Sequence, residues 1–469
     1  MSTVAPEIEV FDVKKYHHDI PEIRKYMNLQ PLGIETISRQ ASMNELWTTS
    51  IKEFRERVYQ PFEQIEEWKI KRLSKLVDWA FETSPFYTKL YKNIGYEKGG
   101  IRSLNDFESL PMINKDHVLE NFPYGMPSSK FDINKCRWMS SSGSSGKQVQ
   151  IVLEQERANL DILFKYRMFE FMGGASLQPD RWIYNIHYVP WWHTSVLDKF
   201  PVFSVTQDCD PNAILEHVML LRPQVVSCIG SYLEKLASLK TPLKQYGVNV
   251  VSTNSESTSP AERARWSSVF QVPVLDEFAS EELDILAMEC PLHSYHIVED
   301  DAHMELANED QFGLGEVVGT DLWNFAMPMI RYNQGDLAEW SKSKDDCPCG
   351  SKFRRLHSLH GRADQAFQSR IRGKIAPGSL LAACELHLCS EGSGISEFRV
   401  IQKELDQVVL LYVKERDYSE ASVSAIQGFN RALEDLFGYS VTLGAEEVPV
   451  IQSEKSYKRR TLINRMDVL

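Results

Sequence analysis

No run in this sequence approaches the ~20 consecutive apolar residues that a membrane-spanning helix needs. Met1–Asp12 carries Glu7 and Glu9 and lacks the basic and apolar regions of an export signal. No membrane partner is expected, and the expected compartment is the cytoplasm. Cysteine is sparse, eight in 469 residues, which excludes a disulfide framework. Positive charge is in deficit: 52 Lys and Arg against 65 Asp and Glu leave −13, which opposes a broad grip on nucleic acid. One local exception, Lys455, Lys458, Arg459 and Arg460, suits either a phosphate contact or a solvated tail.

What the chain does have is side chain to pack. It is 43% hydrophobic, 11% aromatic and 25% charged, an ordinary globular profile, and at roughly 150 residues per unit it is long enough for two or more folded units. From Ser42 to about Asn93 apolar residues recur at helical intervals: Leu46, Ile51, Phe54, Val58, Phe62, Ile65, Trp68. Strand-like runs then alternate with helical ones. Gln150–Leu153, Trp182–Tyr188, Val225–Ile229, Val248–Ser252 and Val272–Asp276 are interleaved with helical stretches near Glu156–Gly173, Ala213–Leu221 and Pro260–Phe270. That alternation predicts an α/β fold with parallel strands. Beyond Gly361 the pattern becomes strand, strand, helix, strand: Glu397–Gln402, Val408–Val413, Ser419–Phe437 and Val441–Thr442. The boundary is expected at 359–364, giving a large N-terminal domain over 1–360 and a small α+β domain over 361–469.

Two segments carry unusual chemistry. Ser140-Ser141-Ser142-Gly143-Ser144-Ser145-Gly146-Lys147 lies between strand-like runs. Small residues let backbone amides approach an anion, hydroxyls donate to it, and a lysine adds charge, so the segment reads as a phosphate loop or, failing that, a flexible linker. It is not a Walker A loop, because only two residues separate Gly143 from Gly146 and Gln148 follows the lysine. Met329-Ile330-Arg331-Tyr332-Asn333-Gln334-Gly335-Asp336-Leu337 places a carboxylate just past a glycine, suited to paired sugar hydroxyls or to a turn.

Five ordered blocks resemble the adenylate-forming acyl-CoA synthetase superfamily, most closely its phenylacetate–CoA ligase branch. They are Leu110–Asp116 with Glu120–Pro123, Ser141–Lys147, Gly313–Glu316, Arg331–Leu337 and Gly361–Pro377. The resemblance spans roughly Ser103 to the C-terminus. It implies that Ser141, Gly143, Ser144, Ser145, Gly146 and Lys147 wrap the ATP phosphates, that Asp336 binds the ribose with help from Arg362, and that Asp364 is the hinge about which a mobile C-terminal domain turns. Phe278-Ala279-Ser280-Glu281-Glu282 occupies the place of a Tyr-Gly-x-Thr-Glu motif, making Phe278 the adenine neighbour and Glu282 the Mg²⁺ ligand, with Glu281 a competing carboxylate. Lys455-Ser456-Tyr457-Lys458-Arg459-Arg460 resembles the segment holding the catalytic lysine, which makes Lys458 the candidate and Lys455 its alternative.

The implied activity is ligation: ATP and a carboxylic acid give an acyl-adenylate and pyrophosphate, and the acyl group then passes to coenzyme A or to a carrier-protein phosphopantetheine thiol. Alternatives are an amide synthetase that transfers to an amine and a non-catalytic nucleotide-binding relative. Tyr184, His187, Trp191, Trp192 and Tyr232 are the expected acyl-site lining and suggest an aryl or heteroaryl acid. Such aromatic clusters also suit cores and homodimer interfaces. Cys347-Pro348-Cys349 with Cys290 and His296, or His293 in its place, offers an N/S donor set for a structural Zn²⁺ that pins the Ser341–Arg355 loop.

Overall fold

The computed structural model describes residues 34–141, 148–188, 191, 193, 195–343, 345–390, 392–415, 418, 422–451 and 461–466, with the backbone alone for 34–40. Helix α1 (Ile34–Arg57) and α2 (Phe62–Thr83) form the expected helical entry, followed by short helices Pro85–Asn93, Leu104–Glu108 and Lys115–Asn121. Strands β1 (Arg137–Ser140) and β2 (Gln150–Leu153) make an antiparallel hairpin.

An α/β unit comes next: α3 (Gln155–Gly173), β3 (Ile183–His187), β4 (Val202–Thr206), α4 (Pro211–Leu221), β5 (Val225–Ile229), α5 (Gly230–Ala237), β6 (Val250–Asn254), α6 (Pro260–Phe270) and β7 (Val274–Ser280). Local chemistry fixes the helix ends. The Asp210 carboxylate caps α4, Ser259 and Glu262 form a capping box on α6, and Gly174 takes the left-handed conformation after α3. Strands β4, β3, β5, β6 and β7 pair in parallel in that order. Every residue of β5 and β6 is buried, as parallel strands covered on both faces require.

At Glu277 the chain leaves the parallel pairing. Strand β7 continues antiparallel with β8 (Asp284–Glu289), then β9 (Tyr295–Ile297), β13 (Arg355–Arg362), β12 (Tyr332–Trp340), β11 (Leu314–Asp321) and β10 (Ala302–Ala307), completing an eleven-stranded sheet. Polar turns and short strands gave this half no regular sequence signature. Strand β13 carries the chain across 360–361 into a unit with its own core, which runs from Phe367 to Leu462. That unit holds the hairpin β14 (Phe367–Ser369) and β15 (Gly373–Ile375), α7 (Pro377–Leu388), β16 (Ile395–Glu404), β17 (Gln407–Lys414), α8 (Val423–Phe437), β18 (Thr442–Glu447) and β19 (Leu462–Asn464). Its sheet order is β18-β17-β16-β19. Helix α8 buries Phe429 and Leu433 and ends at Gly438, as its sequence periodicity predicts. The fold is mixed α/β, as expected. Among the described residues, no helix is long and apolar enough to cross a membrane.

Candidate functional site

The C-terminal ends of parallel strands are where an open α/β sheet leaves room for ligands. Here that edge collects His187 after β3, Gly230 after β5, Asn254–Glu256 after β6 and the Phe278–Glu282 segment of β7. The β1–β2 hairpin packs on the same core as Phe278 and Tyr332, through Val149 and Ile151. Ser141 closes the hairpin's base twice, by its backbone N–H to Val149 O (2.9 Å) and by its hydroxyl accepting from the Val149 N–H (2.9 Å). The tip it closes, including Gly143, Ser144, Ser145, Gly146 and Lys147, lies outside the described residues.

Three of the expected nucleotide-site residues, Asp336, Arg362 and Glu282, come together around β12 and β13, with the expected hinge residue Asp364 beside them. Asp336 is in register with Arg362, with 3.8 Å between Asp336 Oδ1 and Arg362 Nη1. The guanidinium also donates to Gln334 O (2.5 Å) and lies 3.6 Å from Asp364. Gly335 is required beneath it: its φ is +82°, and a Cβ there would stand 2.9 Å from Arg362 Nη2. Burial works against the Arg362 charge, but Asp336 and Asp364 outweigh it and raise the pKa. Glu282 accepts from the Tyr332 hydroxyl at 3.3 Å and feels the charges of Lys115 and Arg362. Burial nevertheless pushes its carboxyl up, and it pushes neighbouring Glu281 to about 7, aided by the Glu282 charge. Two neighbouring half-buried carboxylates are a donor set that fits Mg²⁺, which takes one or two carboxylates and completes its shell with phosphates and water. Tyr332 and Lys115 were not foreseen. Both sit inside family-like blocks, and only the fold shows them facing Glu282.

Arg331, from the same block, is structural. It is buried, pairs with Glu305 (2.7 Å) and donates to the carbonyls of Glu108 and Leu110.

The expected acyl lining divides between the two faces of the sheet. Tyr184 lies in the core under α4 to α6, stacked on Phe203 (5.4 Å), with its hydroxyl 2.8 Å from His217 Nδ1. Tyr232 belongs to the same core and donates to Cys209 O. Both rings pack there rather than at the strand ends: alternation sends Tyr184 to the face opposite His187, and Tyr232 is on the buried face of α5. His187 Nε2 is 2.8 Å from Ser255 Oγ, and Trp191 stacks on Phe169 of α3 (6.2 Å) and on His193 (5.3 Å). Trp192 lies outside the described residues, as do Lys455 and Lys458. Glu256 accepts from the Ser231 N–H (2.6 Å) and the Tyr188 hydroxyl (3.0 Å), bracing the start of α5.

A separate cluster joins Cys290, His296, Cys347 and Cys349, whose ligand atoms all lie within 4.8 Å of one another. Cys290 Sγ is 3.9 Å from Cys347 Sγ, and Cys349 Sγ is 3.4 Å from His296 Nε2. A tetrahedral Zn²⁺ with ~2.3 Å Zn–S bonds spaces its donors by about 3.5–3.8 Å, so the set fits. His296 Nδ1 is 3.2 Å from Phe353 O, an acceptor only, so Nδ1 carries the proton and leaves the Nε2 lone pair for a metal. Burial lowers the His296 pKa to about 4, which keeps the ring neutral. His293, the alternative, points away: it is exposed and lies 3.4 Å from Glu289.

No family model matches the chain. Over 332 residues it is 24% identical to the phenylacetate-coenzyme A ligase of Thermus thermophilus, covering 65% of this chain and 72% of the relative. Over 337 residues it is 22% identical to the phenylacetate-coenzyme A ligase of Aromatoleum evansii, covering 64% and 71%. Among solved structures, a 2-hydroxyisobutyryl-CoA ligase in the postadenylation state in complex with 2-HIB-AMP matches with a TM-score of 0.72 at 20% identity, over 88% of this chain and 92% of that one. The fold is therefore that of the adenylate-forming acyl-CoA ligases.

Proposed function

We propose that this chain, a homologue of phenylacetate–CoA ligases with the fold of the adenylate-forming ligases, joins a carboxylic acid to coenzyme A with conversion of ATP to AMP and pyrophosphate. The observation that carries this reading is the convergence of Glu282, Tyr332, Asp336 and Arg362 at one edge of the sheet, beside a hairpin whose tip is a Ser/Gly/Lys loop. In the first half-reaction an acid oxygen attacks the α-phosphorus, the bond to the β-phosphate oxygen breaks, and pyrophosphate leaves. In the second, the thiol sulfur attacks the acyl carbon, the bond to the AMP oxygen breaks, and the thiol proton is released.

This chain's residues have distinct tasks in that sequence. Asp336 accepts from the two ribose hydroxyls, with Arg362 holding its carboxylate in place. Phe278 offers a ring to adenine. The 141–147 loop donates to the phosphates, and Glu282 would hold Mg²⁺, which supplies positive charge to the phosphoryl oxygens. Lys458 brings a further cation to the α-phosphate, and the unit beyond Asp364 turns to exchange it for the thiol. Fixing acid and nucleotide together makes their encounter effectively intramolecular. The acid is an aryl or heteroaryl one, with Trp191 and His187 at its pocket. Cys290, His296, Cys347 and Cys349 would hold Zn²⁺ as a clamp. The loop they anchor reaches the turn after α1 through the Lys352 N–H to Val58 O (2.9 Å), so the metal would be structural.

The test is product analysis with purified protein, ATP, an acid panel and either coenzyme A or phosphopantetheinylated carrier protein. AMP, pyrophosphate and an acyl-CoA are expected, with loss of activity in Lys458→Ala. Activity kept in Lys458→Ala and lost in Lys455→Ala moves the catalytic lysine by three positions. Acylated carrier with no acyl-CoA refutes coenzyme A as the acceptor.

A further inference from the structure

The turn that carries Glu281 and Glu282 is short. It joins β7 to β8 between the paired residues Ser280 and Asp284. Asp284 takes φ +58°, a left-handed conformation that is uncommon outside glycine and persists only where the surroundings fix it. Two side chains do so. Leu283 is fully buried over Gly319, where a Cβ would stand 2.3 Å from Leu283 Cδ1. Asp284 Oδ2 accepts from Arg157 Nη2 at 2.8 Å. The contact of Glu282 itself, to the Tyr332 hydroxyl at 3.3 Å, is long for a hydrogen bond between oxygens, so the place of its carboxylate depends on the turn beneath it.

Arg157 is rigidly placed. It lies buried in the first turn of α3, and its guanidinium also pairs with Asp321 (2.8 Å) and Asp301 (3.1 Å). Asp321 accepts in turn from the backbone N–H groups of Trp323 (2.8 Å) and Asn324 (3.2 Å), and Asp301 accepts from that of Ile285 (3.2 Å), just beyond Asp284. Glu154, the residue before α3, accepts from the N–H groups of Phe325 (2.9 Å) and Ala326 (3.0 Å). Strand β2 ends at Leu153, so the hairpin that bears the Ser/Gly/Lys tip runs straight into this anchored helix start. The Arg157–Asp284 pair thus ties the base of that hairpin to the turn bearing Glu282.

We infer that Asp284, held by Arg157, is the positioning residue that sets the Glu282 carboxylate for the divalent cation of the nucleotide. The inference rests on the reading of the chain as an ATP-dependent ligase with Glu282 as its Mg²⁺ ligand, and adds residues that neither touch the nucleotide nor belong to its motifs. Mg²⁺ demands near-ideal octahedral geometry, so a carboxylate on a loosened turn binds it less well. Loss of a group that orients a metal ligand weakens metal binding by about 10- to 100-fold. Asp301 and Asp321 still neutralise Arg157 when Asp284 is replaced, so the fold survives the change.

The test is calorimetric titration of the purified protein, with acid and coenzyme A withheld, by MnATP and by ATP without a divalent cation, Mn²⁺ standing in for Mg²⁺. The wild-type protein is expected to bind MnATP more tightly, and the ratio of the two dissociation constants reads the hold of the carboxylate on the metal. In Asp284→Gly the left-handed backbone is kept and the anchor is gone, and that ratio is expected to fall by about tenfold while the affinity for ATP alone is unchanged. Asp284→Asn keeps the turn and an acceptor for Arg157 and is expected to keep the wild-type ratio. Asp284→Ser, too short to reach Arg157, is expected to behave as the glycine variant and replaces it should that one not fold. An unchanged ratio in a folded glycine or serine variant, including a loss shared equally by both forms of ATP, overturns the inference and leaves the ligase reading standing. Equal affinities in the wild-type protein overturn Glu282 as a metal ligand, and the inference with it. ATP bound in neither form refutes the ligase reading itself.

Discussion

Replacing Asp336 by alanine removes the carboxylate proposed to hold the ribose. In the structure its side chain is 17% exposed and lies 3.8 Å from Arg362, which holds it in place. Two ribose hydroxyls donating to a charged acceptor are worth about 1.5–3 kcal/mol each. Allowing for water that replaces part of this, a loss of about 3 kcal/mol is expected, on the order of a 10²-fold fall in kcat/KM for ATP. The fall should sit in KM for ATP more than in KM for the acid. Steady-state pyrophosphate exchange, with each substrate varied in turn, separates the two. Arg362 complicates the single variant, since it loses a partner in a partly buried place. Arg362→Gln and the double variant complete a cycle that isolates the pairing term. A KM for ATP within threefold of the wild-type value in Asp336→Ala would refute the nucleotide assignment.

Three further outcomes follow from the packing. Protein purified without chelator is expected to hold about one equivalent of zinc, and Cys347→Ser to hold less than a tenth of that and melt several degrees lower; metal analysis and calorimetry check both. Buried Glu299 is held at about 2, burial opposing and Arg354 (2.6 Å) and Lys69 favouring its charge. Because that pKa is depressed from 4.5, its contribution to stability is fully present above the ordinary value and is lost as pH falls toward 2. Glu299→Gln strands the Lys69 charge and is expected to cost about 3–5 kcal/mol in denaturant unfolding at pH 7, with a flattened acid limb. An unchanged midpoint contradicts this. In Gly319→Ala a new Cβ would stand 2.3 Å from Leu283 Cδ1, an overpacking expected to cost about 1–3 kcal/mol.

How far the sequence exposed this molecule depends on which signal each residue gives. Four of the five parallel strands were legible as compact apolar runs such as Val225–Ile229, whereas β4 (Val202–Thr206) was not read as one, and α8 was legible because Phe429 and Leu433 recur at helical spacing. The antiparallel half was not, because short strands such as Tyr295–Ile297 have no measurable period. Asp336 and Arg362 were readable as motif members, but their cross-strand pairing depended on how β12 and β13 meet. Tyr184 and Tyr232 were named from composition, which does not say which face of strand β3 or of helix α5 an aromatic takes. Cys347 and Cys349 announced themselves by spacing, whereas the choice of His296 over His293 was made by β9, which turns one ring inward and leaves the other in solvent. Asn185 and Ser252 read in sequence as ordinary interruptions of apolar strands. Only the register shows that they flank Ser227 in one row across the sheet.

The proposed chemistry is activation of a carboxylate with ATP at this edge of the sheet. Its most direct test is incorporation of labelled pyrophosphate into ATP with coenzyme A withheld. Exchange is expected to depend on an added carboxylic acid and to be abolished in Lys458→Ala. ATP binding at the same protein concentration, with no acid supporting exchange, would contradict it.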